Sequence, residues 1–357
     1  MSKLANPTPI IGWDIGGAHL KAVLLDKNGA VVQILQLPCP LWKGLNHLQV
    51  AMNEVLQAFK IVPAEAGQAV TMTGELVDLF ANRQAGVIEI SKLTAKLLGK
   101  DTLFYAALPA DKGGFVTLAH VAANTGAIAS ANWHASASVL GSYVADALFI
   151  DIGSTTTDII AIERGKVKSI SLSDASRMAD DGLIYTGVAR TPVMALAQKL
   201  AVEGVEVNVA AEYFATMADV YRLTGELLPE FDSAETADGK GKNLVETARR
   251  LARMIGHDVE DRPLQTWKNL AETCKKLQLR QIKTAVLKHL KPGIPIIGAG
   301  AGSFLIKQLA ADLNCNFKYA CELISMRPAE HVNLKLQRDL EVCFAAFAVA
   351  SLARKYA

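Results

Sequence analysis

Two aspartates of this chain stand in nearly the same local setting. Asp14 lies in Trp13-Asp14-Ile15-Gly16-Gly17-Ala18-His19-Leu20-Lys21, and Asp151 lies in Ile150-Asp151-Ile152-Gly153-Ser154-Thr155-Thr156-Thr157-Asp158. A carboxylate at the end of a strand is well placed to bind Mg²⁺, and glycines beyond it let backbone N–H groups approach phosphate. Asp14 and Asp151 are therefore candidate metal ligands. Gly16, Gly17, Gly153, Ser154, Thr155 and Thr156 are candidate phosphate contacts. Hydroxyls follow Gly153 but not Gly16, so the second loop is expected to hold more of the phosphate. At the same interval after each aspartate the charge differs, Lys21 in the first copy and Asp158 in the second. A lysine there can neutralise a developing anion; an aspartate can bind metal or accept a proton. The plainer roles are capping aspartates, ordinary strand-start residues and threonines chosen for β-propensity. His19 reads as structural.

Positioning such residues takes strands. Each aspartate ends an apolar run and is followed by another, Ala22-Val23-Leu24-Leu25 in one copy and Ile159-Ile160-Ala161-Ile162 in the other. Turn signals at Asn28-Gly29 and Arg164-Gly165 lead into third runs, over 30–34 and 166–170. The pattern predicts strand, Asp-x-Gly turn, strand, tight turn, strand, twice over. A helix is expected over 45–59 from its apolar spacing and a buried strand over 69–72 ending at Thr73-Gly74-Glu75, with a helix starting near Gly74. Strand and helix then alternate over 86–90, 91–98 and 102–105, before one alanine-rich helix over 120–143. Helices are expected over 211–228, 243–255 and 263–290, a strand over 294–297, and helices over 303–313 and 334–355. Domain bounds follow: a first lobe over 1–145 with 334–357 packing back on it, and a second over 146–333 with a helical insertion at about 205–290.

Other groups have two readings each. Gly298, Gly300 and Gly302 fall between a strand and a helix, as a backbone platform for a phosphorylated ligand or as close helix–strand packing. Trp133 and His134 line an aromatic pocket or close a core. Asp219, Arg222 and Glu226 share a helical face, as a surface salt-bridge row or a groove wall.

The bulk properties narrow the class. The chain has 357 residues, 51% hydrophobic and 20% charged, with a formal net charge of +2. It is globular, long enough for two domains, and without the charge bias that nucleic acid or a membrane surface would call for. No apolar run approaches the about 20 residues of a spanning helix, and no signal peptide is expected. Five scattered cysteines suit reduced thiols in a cytoplasm.

Two Asp-x-Gly lobes and a late Gly-rich strand–helix turn resemble the actin, sugar-kinase and Hsp70 superfamily. The finer resemblance is to its hydantoinase/oxoprolinase-like branch, and within that to the methanofuran (methylofuran) biosynthesis family. It is carried by Gly12-Trp13-Asp14-Ile15-Gly16-Gly17, Thr73-Gly74-Glu75-Leu76, Asn132-Trp133-His134-Ala135-Ser136 and the Asp151 to Asp158 loop. Tyr185-Thr186-Gly187, Arg190-Thr191-Pro192 and the run from Phe214 to Arg222 complete it. The resemblance implies an α/β fold of two actin-like, ribonuclease H-like lobes with an interlobe phosphate cleft, where Asp14 and Asp151 would converge on Mg²⁺. It also implies one-carbon metabolism linked to tetrahydromethanopterin. The activity implied joins an aminomethylfuran-methyl diphosphate to the phenol of a glutamylated tyramine and releases diphosphate. Lys21 would stabilise the leaving group, and Asp158, Glu75 and His134 are candidate bases. Broader hydantoinase relatives tend to carry an acid where Lys21 stands, which argues against an ordinary hydrolase. The alternatives are an ATP-dependent small-molecule kinase or ATPase, and a non-catalytic nucleotide-binding protein. ATP is thus a second candidate ligand, small molecules are the expected partners, and a homodimer is one option for the assembly.

Overall fold

A computed structural model describes residues 8–108, 114–168, 172–324 and 334–356. They form a mixed α/β structure with two main sheets. The chain divides into two compact units, one of Met1–Ala147, Ile160–Arg177 and Tyr319–Ala357, the other of Leu148–Ile159 and Met178–Lys318.

In the first unit β1 (Ile10–Ile15), β2 (His19–Leu25) and β3 (Val31–Pro38) form an antiparallel meander. Helix α1 (Leu45–Phe59) leads to β4 (Gly67–Met72), parallel to β1. Helix α2 (Arg83–Leu98) leads to β5 (Leu103–Tyr105), parallel to β4, and β6 (Phe115–Val116) closes the order β3-β2-β1-β4-β5-β6. All six residues of β1 are buried, because the strand is covered on both faces. With period two, Ile11, Trp13 and Ile15 join a core with Leu48, Met52 and Val55 of α1 and Val87 and Ile90 of α2. Gly12 and Asp14 therefore point to the opposite face. There Gly12 meets α13 (Phe344–Ala353), and a Cβ at Gly12 would lie 1.9 Å from the Ala346 carbonyl oxygen. The alanine-rich α13 also packs on β2, β4 and α5 (Asn132–Leu140), small side chains allowing the close approach.

Three expected elements differ. Residues 83–98 form one helix, not strand then helix: Asn82 caps it by accepting from the Ala85 N–H at 2.9 Å, and Val87, Ile90, Thr94 and Leu98 are buried at helical spacing. After Thr73 there is only a short 3₁₀ turn, Gly74–Leu76. The alanine-rich stretch is broken into α3 (Leu118–Val121), α4 (Thr125–Ile128) and α5. The break before α5 has a cause: Ala129 makes a parallel bridge to Met72, and Ser130 adopts φ 51°.

The second sheet has β7 (Ala147–Ile152), β8 (Thr157–Glu163), β9 (Lys166–Lys168) and β10 (Leu183–Ile184), the last following α6 (Asp174–Ala179). Residues 169–170 of the expected third strand lie outside the described residues. The order is β10-β8-β7-β13-β14, with β9 on β8, where β13 is Ile296–Ala299 and β14 is Phe317–Tyr319. Between β10 and β13 come the hairpin β11 (Lys199–Val202) and β12 (Val205–Asn208), which the sequence reading misses, and three helices. These are α7 (Met217–Thr224), α8 (Leu244–Arg253) and α9 (Leu264–His289), and α10 (Ser303–Asp312) follows β13. Helix α7 is shorter than expected because Thr216 and Asp219 form a capping box at its start and Gly225 ends it at φ 78°. Asp219 accepts from both Arg222 and the fully buried Arg250 at 2.8 Å, while Glu226 lies past the helix end and pairs with Lys275. The expected row is thus an internal clamp between α7 and α8, not a surface row. The short α11 (Ala320–Leu323) precedes α12 (Leu334–Val342) and α13, which divide the single helix expected at the C-terminal end. Among the described residues no helix is long and apolar enough to cross a membrane.

Candidate functional site

In the first unit the chemistry gathers where β1 and β4 end, the carboxyl edge at which open α/β sheets bind ligands. The turn after β1 is tight: the Gly16 N–H donates to the His19 carbonyl at 2.9 Å. Asp14 lies opposite Lys21 across β1 and β2, with Lys21 Nζ 3.7 Å from Asp14 Oδ2. Burial raises the Asp14 pKa and the adjacent Lys21 opposes that rise. Asp14 Oδ1 is buried with no hydrogen-bond partner among the described residues.

The loop after β4 lies directly against this turn. The Thr73 N–H donates to the Ile15 carbonyl at 2.9 Å, and a Cβ at Gly74 would lie 3.2 Å from the Gly16 carbonyl oxygen. The next residue, Glu75, is buried beneath α2. Gly86 of that helix passes so close that a Cβ there would be 2.7 Å from the Glu75 carbonyl oxygen. Glu75 Oε1 accepts from the Ser130 hydroxyl at 2.8 Å. Ser130 also lies 3.3 Å from Asp174 Oδ2, which Arg83 contacts at 2.8 Å. A hydroxyl has one hydrogen, so Ser130 serves one carboxylate at a time. Burial pushes the Glu75 carboxyl up to about 7, against the lowering effect of Ser130. It is thereby poised to exchange a proton near neutral pH.

His134 is placed differently. Its Nδ1 is 2.8 Å from the Tyr105 hydroxyl, and its ring packs edge-on against Trp133, over which the Arg177 guanidinium sits 3.9 Å from the ring centroid. Burial first, and then Arg177, lowers the His134 pKa to about 4. The ring is a weak base within an aromatic core.

The second unit repeats the turn. The Gly153 N–H donates to the Thr156 carbonyl at 2.9 Å. The segment after β10 supports this loop from behind: Val188 N–H donates to the Gly153 carbonyl at 3.0 Å, and Ala189 and Arg190 N–H to the Ser154 carbonyl at 3.1 and 2.8 Å. The Ser154 and Thr155 hydroxyls are 3.4 Å apart. Asp158, next to Thr157 in β8, lies opposite Leu183 of β10. Of the late glycines, Gly300 lies against Asp151: its φ is +86°, and a Cβ would be 2.3 Å from Asp151 Oδ1. Gly298 and Gly302 face apolar side chains, Phe317 and Ile306 for the first, Ile152 and Val188 for the second.

Among the described residues no group of three or more His, Cys, Asp or Glu is arranged to hold a metal. Single carboxylates such as Asp14 and Asp151 fit Mg²⁺ all the same, since that ion takes one or two carboxylates with water and phosphate. The buried, unpartnered Asp14 Oδ1 is an oxygen donor of the kind it takes.

The family model described as Hydantoinase/oxoprolinase matches residues 66–323. The chain belongs to this family. Two curated relatives carry the same name, (4-{4-[2-(γ-L-glutamylamino)ethyl]phenoxymethyl}furan-2-yl)methanamine synthase. The one from Methanocaldococcus jannaschii is 27% identical over 350 residues, covering 97% of this chain and 98% of the relative. The one from Methanococcus vannielii is 29% identical over 189 residues, covering 52% of this chain and 85% of the relative. Among solved structures, a nucleotide-free acetone carboxylase aligns with TM-score 0.50 and 11% identity, covering 96% of this chain and 70% of that one. That likeness extends to this hydantoinase/oxoprolinase family chain as a shared fold.

Ser130, Asp174 and Arg83 belong to the candidate site around Glu75 and are not found from the sequence. Ser130 and Asp174 lie far along the chain from Glu75, and Arg83, eight residues on, is in a segment with no chemical motif. The one local signal is a serine within an alanine-rich run, and the structure gives it φ 51°.

Proposed function

We propose that this protein forms the aryl ether of a methanofuran-type cofactor, transferring an aminomethylfuran-methyl group from its diphosphate to the phenol of a glutamylated tyramine-like acceptor. The supporting observation is the full-length match to a synthase whose named product carries a phenoxymethyl link to a furan. In the reaction the furan-methyl C–O bond breaks and diphosphate leaves with the electron pair. The phenol oxygen forms the new C–O bond, and its proton passes to a base. The furan ring delocalises the cationic charge at the reacting carbon, so stabilising the leaving group is the main task.

Lys21, paired with Asp14 at the first turn, supplies positive charge toward the departing diphosphate. In the second unit the loop 153–156 offers hydroxyl and backbone contacts to phosphate, with Gly300 against Asp151. Asp14 in the first unit and Asp151 in the second are each proposed as a ligand for Mg²⁺, which when bound neutralises phosphate charge. A two-lobe division near residue 145 belongs to this reading. Glu75 suits the base: a carboxyl titrating at about 7 removes a phenolic proton better than His134, held at about 4 and engaged with Tyr105. Asp158 is the second candidate.

The leaving group carries its own driving force, so no ATP is needed. The test supplies the furan-methyl diphosphate, the phenolic amine and Mg²⁺ without nucleotide, and measures ether and diphosphate together. Equal amounts of both are expected. Product that forms only with ATP would overturn this reading in favour of an ATP-dependent one.

A further inference from the structure

The longest helix of the second unit carries a fully buried polar side chain in the middle of its apolar stripe. Trp267, Ala271, Cys274, Ile282 and Ala285 of α9 are buried on that stripe, and Gln278 is fully buried among their positions. Both ends of its amide are engaged. Nε2 donates to Thr186 Oγ1 and to the Gly187 carbonyl, each at 2.8 Å, and Oε1 accepts from the Tyr221 hydroxyl of α7. A carbonyl only accepts, so the contact to Gly187 fixes which end of the amide faces it.

The Thr186–Gly187 turn is itself seated on the second Asp–Gly loop. Thr157 Oγ1 donates to the Thr186 carbonyl at 2.7 Å, and the Gly187 N–H donates to Thr191 Oγ1 at 2.8 Å. A Cβ at Gly187 would stand 2.5 Å from the Thr155 nitrogen and 2.6 Å from the Gly153 carbonyl oxygen. Nothing yields between turn and loop without moving the loop.

We infer that Gln278 is the positioning residue of the loop 153–156, setting from the helical segment where a diphosphate meets it. Apolar packing alone would be met by leucine or methionine at this place. A buried amide costs desolvation unless every partner is satisfied, and in return it holds its partners at defined distance and angle. Tyr221 extends the link to α7, which Asp219 and Arg250 join to α8.

The inference rests on the proposed reading of this loop as a diphosphate site, and the test separates the two. Binding of inorganic diphosphate with Mg²⁺ is measured by calorimetry, well below the melting temperature of every variant. Gln278→Met keeps length and bulk but removes the hydrogen bonds. It is expected to weaken diphosphate binding about 10-fold or more, the scale for removing a supporting partner of a binding group. Leu270→Ala, a cavity two turns away on the same helix, is expected to lower the melting temperature and leave affinity within about twofold. Tyr221→Phe removes only the outer hydroxyl, and a smaller loss of affinity is expected; it carries the test if Gln278→Met does not fold. Unchanged affinity in Gln278→Met, or in Tyr221→Phe where that variant carries the test, would overturn the inference, as would an equal loss in Leu270→Ala. If the unsubstituted chain binds no diphosphate, the phosphate reading fails and this inference with it.

Discussion

The two Asp–Gly turns share a frame and differ in what surrounds it. Gly16 and Gly153 each donate to the carbonyl three residues on, at 2.9 Å in both. Behind the first turn, Leu41 and Cys39 N–H groups donate to the Gly17 and Ala18 carbonyls; behind the second, Val188, Ala189 and Arg190 do this work. Around the first turn stand ionisable groups, Asp14 with Lys21 and, one residue past Gly74, the buried Glu75. Around the second stand the carboxylates Asp151 and Asp158 with no lysine in the place of Lys21, together with hydroxyls, backbone and the amide of Gln278. On the proposed function the duplicated frame divides its labour: Lys21 and Glu75 beside the first copy would handle charge and protons, and the second copy would hold a phosphate chain.

That division can be broken most directly at Glu75. Glu75→Gln should lower turnover about 10²–10⁴-fold if the side chain is the base, and wild-type rates in the variant would pass the role to Asp158. Stability gives an independent reading of the same group. Folded Glu75 keeps its proton to about 7, while a glutamate at its ordinary 4.5 has released it. The folded chain therefore binds more protons between those values, and stability falls as pH rises through that window, by roughly 3 kcal/mol in all. Melting curves across the window should show this slope in the parent and lose it in Glu75→Gln.

Lys21→Ala should cost about 10²–10³ in turnover with little change in melting temperature, because a charge aimed at a leaving group acts in the transition state. A kcat equal to that of the parent would remove Lys21 from the charged half of the comparison. Asp14→Asn and Asp151→Asn are each expected to lose about 10–100-fold and to need more Mg²⁺ for half-maximal rate. An unaltered Mg²⁺ dependence in both would refute the metal assignment.

The smallest contrast concerns glycines. A Cβ at Gly17 would meet one side-chain atom, Val77 Cγ1, at 2.8 Å, whereas one at Gly187 would meet Thr155 and Gly153 backbone. In a melting experiment Gly17→Ala, which needs only one valine methyl to move, should cost less than Gly187→Ala, for which about 1–3 kcal/mol is expected. Equal costs would mean that the second loop is no more rigidly supported than the first.

Sequence by itself determined the elements whose signals are local. The Asp-x-Gly turns, their hairpins, the long α9 and the strand–glycine–helix passage after residue 294 are legible because periodicity and turn residues act over a few positions. Asp14, Lys21 and Asp151 stand out for the same reason, since a motif repeats. Gln278 carries a faint signal, a polar residue on an apolar stripe, too weak to single it out from the sequence. Tertiary structure alone decided the rest. The Glu75 carboxyl is pushed up to about 7 because Gly86 lets α2 cover it, and Ser130 reaches it only because Ala129 pairs with Met72 and breaks a helix that composition favours. His134, in a chemically suggestive triplet, is tied to Tyr105 and held below its ordinary basicity by burial. Gly298 and Gly302 meet apolar side chains, while Gly300 between them meets Asp151. Burial and partnership set what a polar group can do, and both depend on residues far along the chain that no local pattern names.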